Sequence, residues 1–99
     1  MLNIEKNTEG NSMEVKLSGR LDTTTAPQLE EVVKAELSGK ESLVFDLADL
    51  EYISSAGLRV LLSAQKKMAK QGSMTVRNVS PDIMEIFDVT GFVDILNIE

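Results

Sequence analysis

Leu43-Val44-Phe45-Asp46-Leu47-Ala48-Asp49-Leu50-Glu51-Tyr52-Ile53-Ser54-Ser55-Ala56-Gly57-Leu58-Arg59-Val60-Leu61-Leu62 reads as a strand, a loop and the opening of a helix. Leu43 to Leu47 is a short apolar run rich in strand formers. Set between two helical patterns, it predicts a strand buried on both faces of a partly parallel sheet. The loop is expected to run from Asp49 to Gly57. The helix is expected from about Ser55 to Gln71, with Leu58, Leu61, Leu62, Gln65 and Met68 or Ala69 facing inward. Arg59, Ser63, Lys66, Lys67 and Lys70 make its outer face, and Gly72 its terminal cap.

Upstream, Leu2, Ile4 and Lys6 alternate weakly and suggest a first strand. Glu9-Gly10-Asn11 is turn material. Met13, Val15 and Leu17 alternate with Glu14, Lys16 and Ser18, as in a half-buried strand pairing back on the first. Asp22 to Gln28 reads as a helix start, with Thr25 and Gln28 in capping-box spacing and Pro27 in the first turn. Leu29, Val32, Val33 and Leu37 follow helical spacing, with Glu30, Glu31, Lys34 and Glu36 opposite. Gly39 is the expected stop.

Downstream, Met74 to Arg77 reads as another strand. Ser80-Pro81-Asp82 opens a third helix, with Ile83, Ile86 and Phe87 inward and Gly91 at its end. Phe92 to Ile98 closes the chain, with room for a short edge strand. The order β-β-α-β-α-β-α predicts an α/β fold: a mixed, mostly parallel sheet of four to five strands, opened by a hairpin, with three helices.

The chain has 99 residues, consistent with one domain over 1–99. Its net charge of −6, with no basic cluster, argues against nucleic acid or an anionic membrane as partner. With no cysteine, disulfides and thiolate chemistry are excluded. Histidine is absent too, which removes the usual general base and the commonest metal ligand. Asp46 and Asp49 do not make a convincing metal pair, so neither metal nor cofactor is expected. The start Met1-Leu2-Asn3-Ile4-Glu5-Lys6 lacks a basic region followed by a long apolar stretch. No run approaches the roughly 20 apolar residues of a membrane span, so no membrane insertion is expected and the cytoplasm is the default location.

In open α/β sheets function gathers at the carboxyl ends of strands. If the two strands are neighbours, the loops before the first and second helices share one rim, bearing Asp22, Thr23, Thr24, Thr25, Ser54 and Ser55. Ser55 reads as a helix cap or as a phosphoacceptor, because a helix N-terminus offers unpaired N–H groups and a favourable dipole for negative charge. Ser54 has the same two readings. Gly57 is explained equally by close packing on a strand or by a bare backbone that another molecule approaches. Asp22 is a turn residue, or a group that orients a serine or holds a cation.

The segments Ser18-Gly19-Arg20-Leu21-Asp22, Leu43-Val44-Phe45-Asp46-Leu47 and Tyr52-Ile53-Ser54-Ser55-Ala56-Gly57-Leu58, with Thr90-Gly91-Phe92, resemble the STAS domain, specifically the small stand-alone anti-sigma-factor antagonists. The resemblance covers nearly the whole chain. It implies a single STAS-type domain and a non-enzymatic regulator of transcription, active in stress response by partner switching. In its unphosphorylated form it would bind an anti-sigma factor that is also a serine kinase, and so release a sigma factor. Phosphorylation would end that binding and a serine phosphatase would restore it. The acceptor falls on Ser55, with Ser54, where the family often has aspartate, as the second candidate. The partner surface would comprise Asp22, Thr23, Thr24, Thr25, Ser54, Ala56, Gly57 and Arg59, on a monomer or weak dimer. The alternative is a STAS interaction module without the phosphoswitch, binding nucleotide or protein or serving in a signalling or lipid-transport assembly.

Overall fold

A computed structural model describes residues 1–99. Strands β1 (Leu2–Glu9) and β2 (Ser12–Leu21) form the opening hairpin, turned at Gly10 and Asn11. Helix α1 (Ala26–Glu36) leads to β3 (Ser42–Ile53), α2 (Ser55–Gln71) to β4 (Ser73–Arg77), and α3 (Pro81–Thr90) to a 3-10 turn at Phe92–Asp94. The sheet order is β1-β2-β3-β4, antiparallel at the hairpin and parallel beyond it. The tail adds one parallel bridge, Ile98 against Val76, at the free edge of β4.

Strand β3 departs from expectation in two ways. Its apolar burial is confined to one face, the other face of its buried part being the polar Asp46 and the half-buried Val44. Leu43, Phe45 and Leu47 are buried with Met13, Val15 and Leu17 of β2 and Met74 and Val76 of β4, while Val44 and the aligned Glu14 and Thr75 remain partly exposed. The cause is topological. The crossovers β2-α1-β3 and β3-α2-β4 step across the sheet in the same direction, so right-handed connections set both helices on one side. The buried apolar residues, including Ile83 and Phe87 of α3, accordingly form a single cluster.

Second, β3 runs on through the expected loop to Ile53. Its register against β2 shifts twice, between Lys16 and Ser18 and between Gly19 and Arg20. At each shift β3 carries an extra residue, as a β-bulge requires. The inward spacing therefore changes from Leu43-Phe45-Leu47 to Leu50 and then Ile53. A strict period of two misses that change.

Helix α2 has the expected bounds, but its buried stripe is Gly57, Leu58, Val60, Leu61, Ala64 and Met68. Leu62 and Gln65 are only half-buried and Ala69 is exposed. The helix packs on α1 as well as on the sheet, which turns Val60 and Ala64 inward. At its far end Gly72 gives its N–H to the Met68 carbonyl at 2.7 Å. A Cβ on Gly72 would lie 1.8 Å from the Glu41 carbonyl oxygen, so only glycine lets the chain enter β4 there. Helix α3 is bounded as expected: Ser80 Oγ accepts from the Ile83 N–H at 3.3 Å, and Gly91 closes it in the left-handed conformation.

The face without helices is polar. Glu5, Lys16, Asp46 and Arg77 are aligned across the four strands, so charge alternates in a single row. Asp46 Oδ1 accepts from the Ala48 N–H at 3.0 Å and from Asn78 Nδ2 at 3.1 Å. Burial opposes its ionisation, but these bonds and the nearby Lys16 and Arg77 hold its pKa below the usual carboxylate range.

Candidate functional site

Strands β2 and β3 are neighbours whose last residues, Leu21 and Ile53, lie in register. The Ser54 N–H donates to the Leu21 carbonyl at 2.8 Å. That bond joins the two loops, so Asp22–Thr25 and Ser54–Gly57 share one rim as expected.

The two serines are not equivalent. Ser54 has extended backbone, with φ −97° and ψ 174°, and its Oγ accepts from the Gly57 N–H at 3.4 Å. Ser54 is therefore the cap of α2, and the capping alternative for Ser55 falls away. Ser55 is the first helical residue; it is exposed, and its hydroxyl forms no hydrogen bond.

Gly57 is buried against the strands. A Cβ there would approach Leu21 Cγ to 2.6 Å and Ile53 Cγ1 to 2.9 Å. Of its two readings the packing one accounts for the residue, and Gly57 leaves the surface set. Ala56 remains half-buried and Arg59 exposed.

Asp22 shapes its own loop. Its Oδ1 accepts from the Thr24 hydroxyl at 2.8 Å, the Thr24 N–H at 3.0 Å and the Thr25 N–H at 3.1 Å. The Thr24 hydroxyl is the largest influence on Asp22, and together with the Thr25 and Thr24 amides it outweighs the opposing effect of burial and keeps the Asp22 pKa below the usual carboxylate range. The expected Thr25–Gln28 capping box is absent, because Thr25 serves the loop instead. Its hydroxyl donates to the Arg20 carbonyl and accepts from the Asp22 N–H, both at 2.8 Å. Thr25 is buried, so of the three threonines only Thr23 and Thr24 are exposed on the rim.

Thr23, Pro27 and Glu30 face Ala56 and Arg59 across a shallow cleft between the starts of α1 and α2. On the other side of the rim the Arg20 guanidinium stacks over the Tyr52 ring, 4.5 Å from its centroid. The pairing of Arg20 with Tyr52 follows the second register shift in β3, so sequence spacing alone did not single them out. No cluster of three or more acidic residues converges anywhere in the chain.

This layout, an exposed serine one residue past a capping serine beside an ordered acidic loop, can be compared with known proteins. A family model described as STAS domain matches residues 3–99. The chain belongs to the STAS domain family. This STAS domain is 32% identical over 98 residues to the anti-sigma-B factor antagonist of Bacillus subtilis (strain 168), covering 98% of this chain and 90% of that one. Its fold matches the crystal structure of an anti-sigma factor antagonist from Mycobacterium paratuberculosis, with a TM-score of 0.89 and 25% identity over 99% of this chain and 85% of that one. It also matches the fold of the Bacillus cell fate determinant SpoIIAA in the phosphorylated form, with a TM-score of 0.76 and 18% identity over 98% of this chain and 91% of that one. No helix of the STAS domain is long and apolar enough to cross a membrane.

Proposed function

We propose that this chain is an anti-sigma-factor antagonist, acting by binding and not by turnover, with Ser55 as its phosphoacceptor. The observation that carries the assignment is the division of labour at the start of α2: Ser54 caps the helix, while the Ser55 hydroxyl is exposed and without a partner. The names of its relatives support the antagonist reading. In the unmodified state the rim of Asp22, Thr23, Thr24, Ser54, Ala56 and Arg59 would meet the anti-sigma factor, in the cytoplasm.

The phosphoryl step needs chemistry from the partner. The Ser55 hydroxyl has no hydrogen-bond partner in the chain, so the base that accepts its proton would belong to the kinase. Ser55 Oγ would attack the terminal phosphorus of a nucleoside triphosphate held there; the P–O bond to the leaving nucleoside diphosphate would break as the bond to Oγ forms. The modified residue adds about −1.5 to −2 charges at a helix N-terminus, which favours anions. The fold would therefore persist, and the switch would act at the interface. A phosphatase that delivers water to the same phosphorus would return Ser55 and inorganic phosphate.

Site mapping of the intact protein isolated from its own host, with and without phosphatase treatment, tests this reading. One phosphatase-sensitive phosphate on Ser55 is the expected result. Phosphate on Ser54 alone would overturn the assignment. A chain unmodified across growth and stress conditions would favour the constitutive module.

A further inference from the structure

Arg59 is exposed in the second turn of α2. Cations are favoured near helix C-termini and disfavoured near N-termini. Lys70 lies in the last turn of α2 with Lys66 and Lys67 before it, whereas Arg59 is the only basic residue of the first half. No carboxylate lies within ion-pair distance of it. The first turn of α2 carries no acidic residue, and Arg59 takes part in none of the ion pairs of the fold. The carboxylates of the adjoining cleft and rim have other partners. Glu30 of α1, across the cleft, pairs with Lys34 at 3.0 Å, and Asp22 of the rim loop is committed to its own turn and lies 3.8 Å from Arg20.

Ser55 and Arg59 are separated by four residues, so they lie one above the other on the same helical face, with Cβ atoms about 5–6 Å apart. Long helical side chains lean toward the N-terminus, the direction in which Ser55 lies from Arg59. An anion placed N-terminal to a cation at this spacing is the favourable order. Guanidinium and phosphate also match in geometry, as two parallel charge-assisted hydrogen bonds.

We infer that Arg59 is the intrahelical clamp for a phosphate on Ser55, so that one modification both installs an anion on the rim and withdraws the free cation of its first helical turns. This rests on the reading of Ser55 as acceptor. The rim would then change by more than the charge of the phosphate itself: a partner carboxylate facing Arg59 in the unmodified form would lose its counter-charge and meet a dianion.

The test uses the full chain with phosphoserine incorporated directly at position 55, so that no kinase is needed, with Arg59 or with Arg59→Gln. Phosphorus NMR follows the second phosphate ionisation, ordinarily near about pH 6. The clamp predicts a pKa lower by about half a unit with Arg59 than with glutamine, because the guanidinium favours the dianion. Equal values, in two proteins whose circular dichroism shows the same fold, would overturn the clamp. The two ideas fail separately: absence of phosphate on Ser55 in the host would sink the acceptor reading, while an unshifted titration would sink the role of Arg59.

Discussion

Removing the Ser54 hydroxyl leaves the Gly57 N–H without its partner at a helix start, whereas removing that of Ser55 breaks no hydrogen bond. Ser54→Ala should therefore cost about 1 kcal/mol, and Ser55→Ala should stay within about 0.5 kcal/mol of the parent. Urea titration of the two variants reads the difference, and equal losses would contradict the division of labour. Asp22 carries a pH signature on the same rim. Its folded pKa is depressed, so its charge adds stability above the unfolded pKa, and that stability is lost as pH falls through the folded value. The parent should exceed Asp22→Asn in urea midpoint at neutral pH, and the gap should close toward acid. A gap that widened on acidification would reverse the sign and refute the account.

Helix α2 is placed by two contacts at its ends. Gly57 lets its first turn close on Leu21 and Ile53, and Gly72 lets the chain leave it past the Glu41 carbonyl. Gly57→Ala would put a methyl group 2.6 Å from Leu21 Cγ, an overpacked contact of the kind that costs about 1–3 kcal/mol. Because the clash lies directly under the first turn, the loss in thermal stability should come with changed amide shifts at Ser54 and Ser55. Unchanged shifts there would mean that the glycine does not set the position of the rim. The bounds of α2 were legible from apolar spacing and from Gly72, since both act within the helix. Its rotation was not, because contact with α1 decides whether Val60 and Ala64 or Leu62 and Gln65 turn inward.

Across the whole molecule, three helices on one side leave the other side of the sheet to be stabilised by polar pairing. The aligned row of Glu5, Lys16, Asp46 and Arg77 sets opposite charges side by side, and Arg77 forms an ion pair with Glu14. Such a face resists pairing with a second apolar sheet or helix. Lys16→Glu would place like charges side by side on three adjacent strands. The expected destabilisation is roughly 0.5–2 kcal/mol from two unfavourable cross-strand neighbours, partly relieved by salt. Chemical denaturation at low and high ionic strength would show it; a loss insensitive to salt would point to packing instead.

Local patterns determined the element types, their order, the termini of α2 and α3, and the candidate serines, because periodicity, caps and turn residues act over a few neighbouring positions. The resemblance through Ser18–Asp22 and Tyr52–Leu58 pointed to the STAS family for the same reason: the motif residues are contiguous. Tertiary structure decided what depends on partners distant in sequence. Register shifts against β2 carried β3 on to Ile53, crossovers in one direction left one face of the sheet open, and Arg20 O and Asp22 drew Thr25 away from capping. The bond from the Ser54 N–H to the Leu21 carbonyl tied the two loops into one rim, with Ser54 as the cap and Ser55 left free.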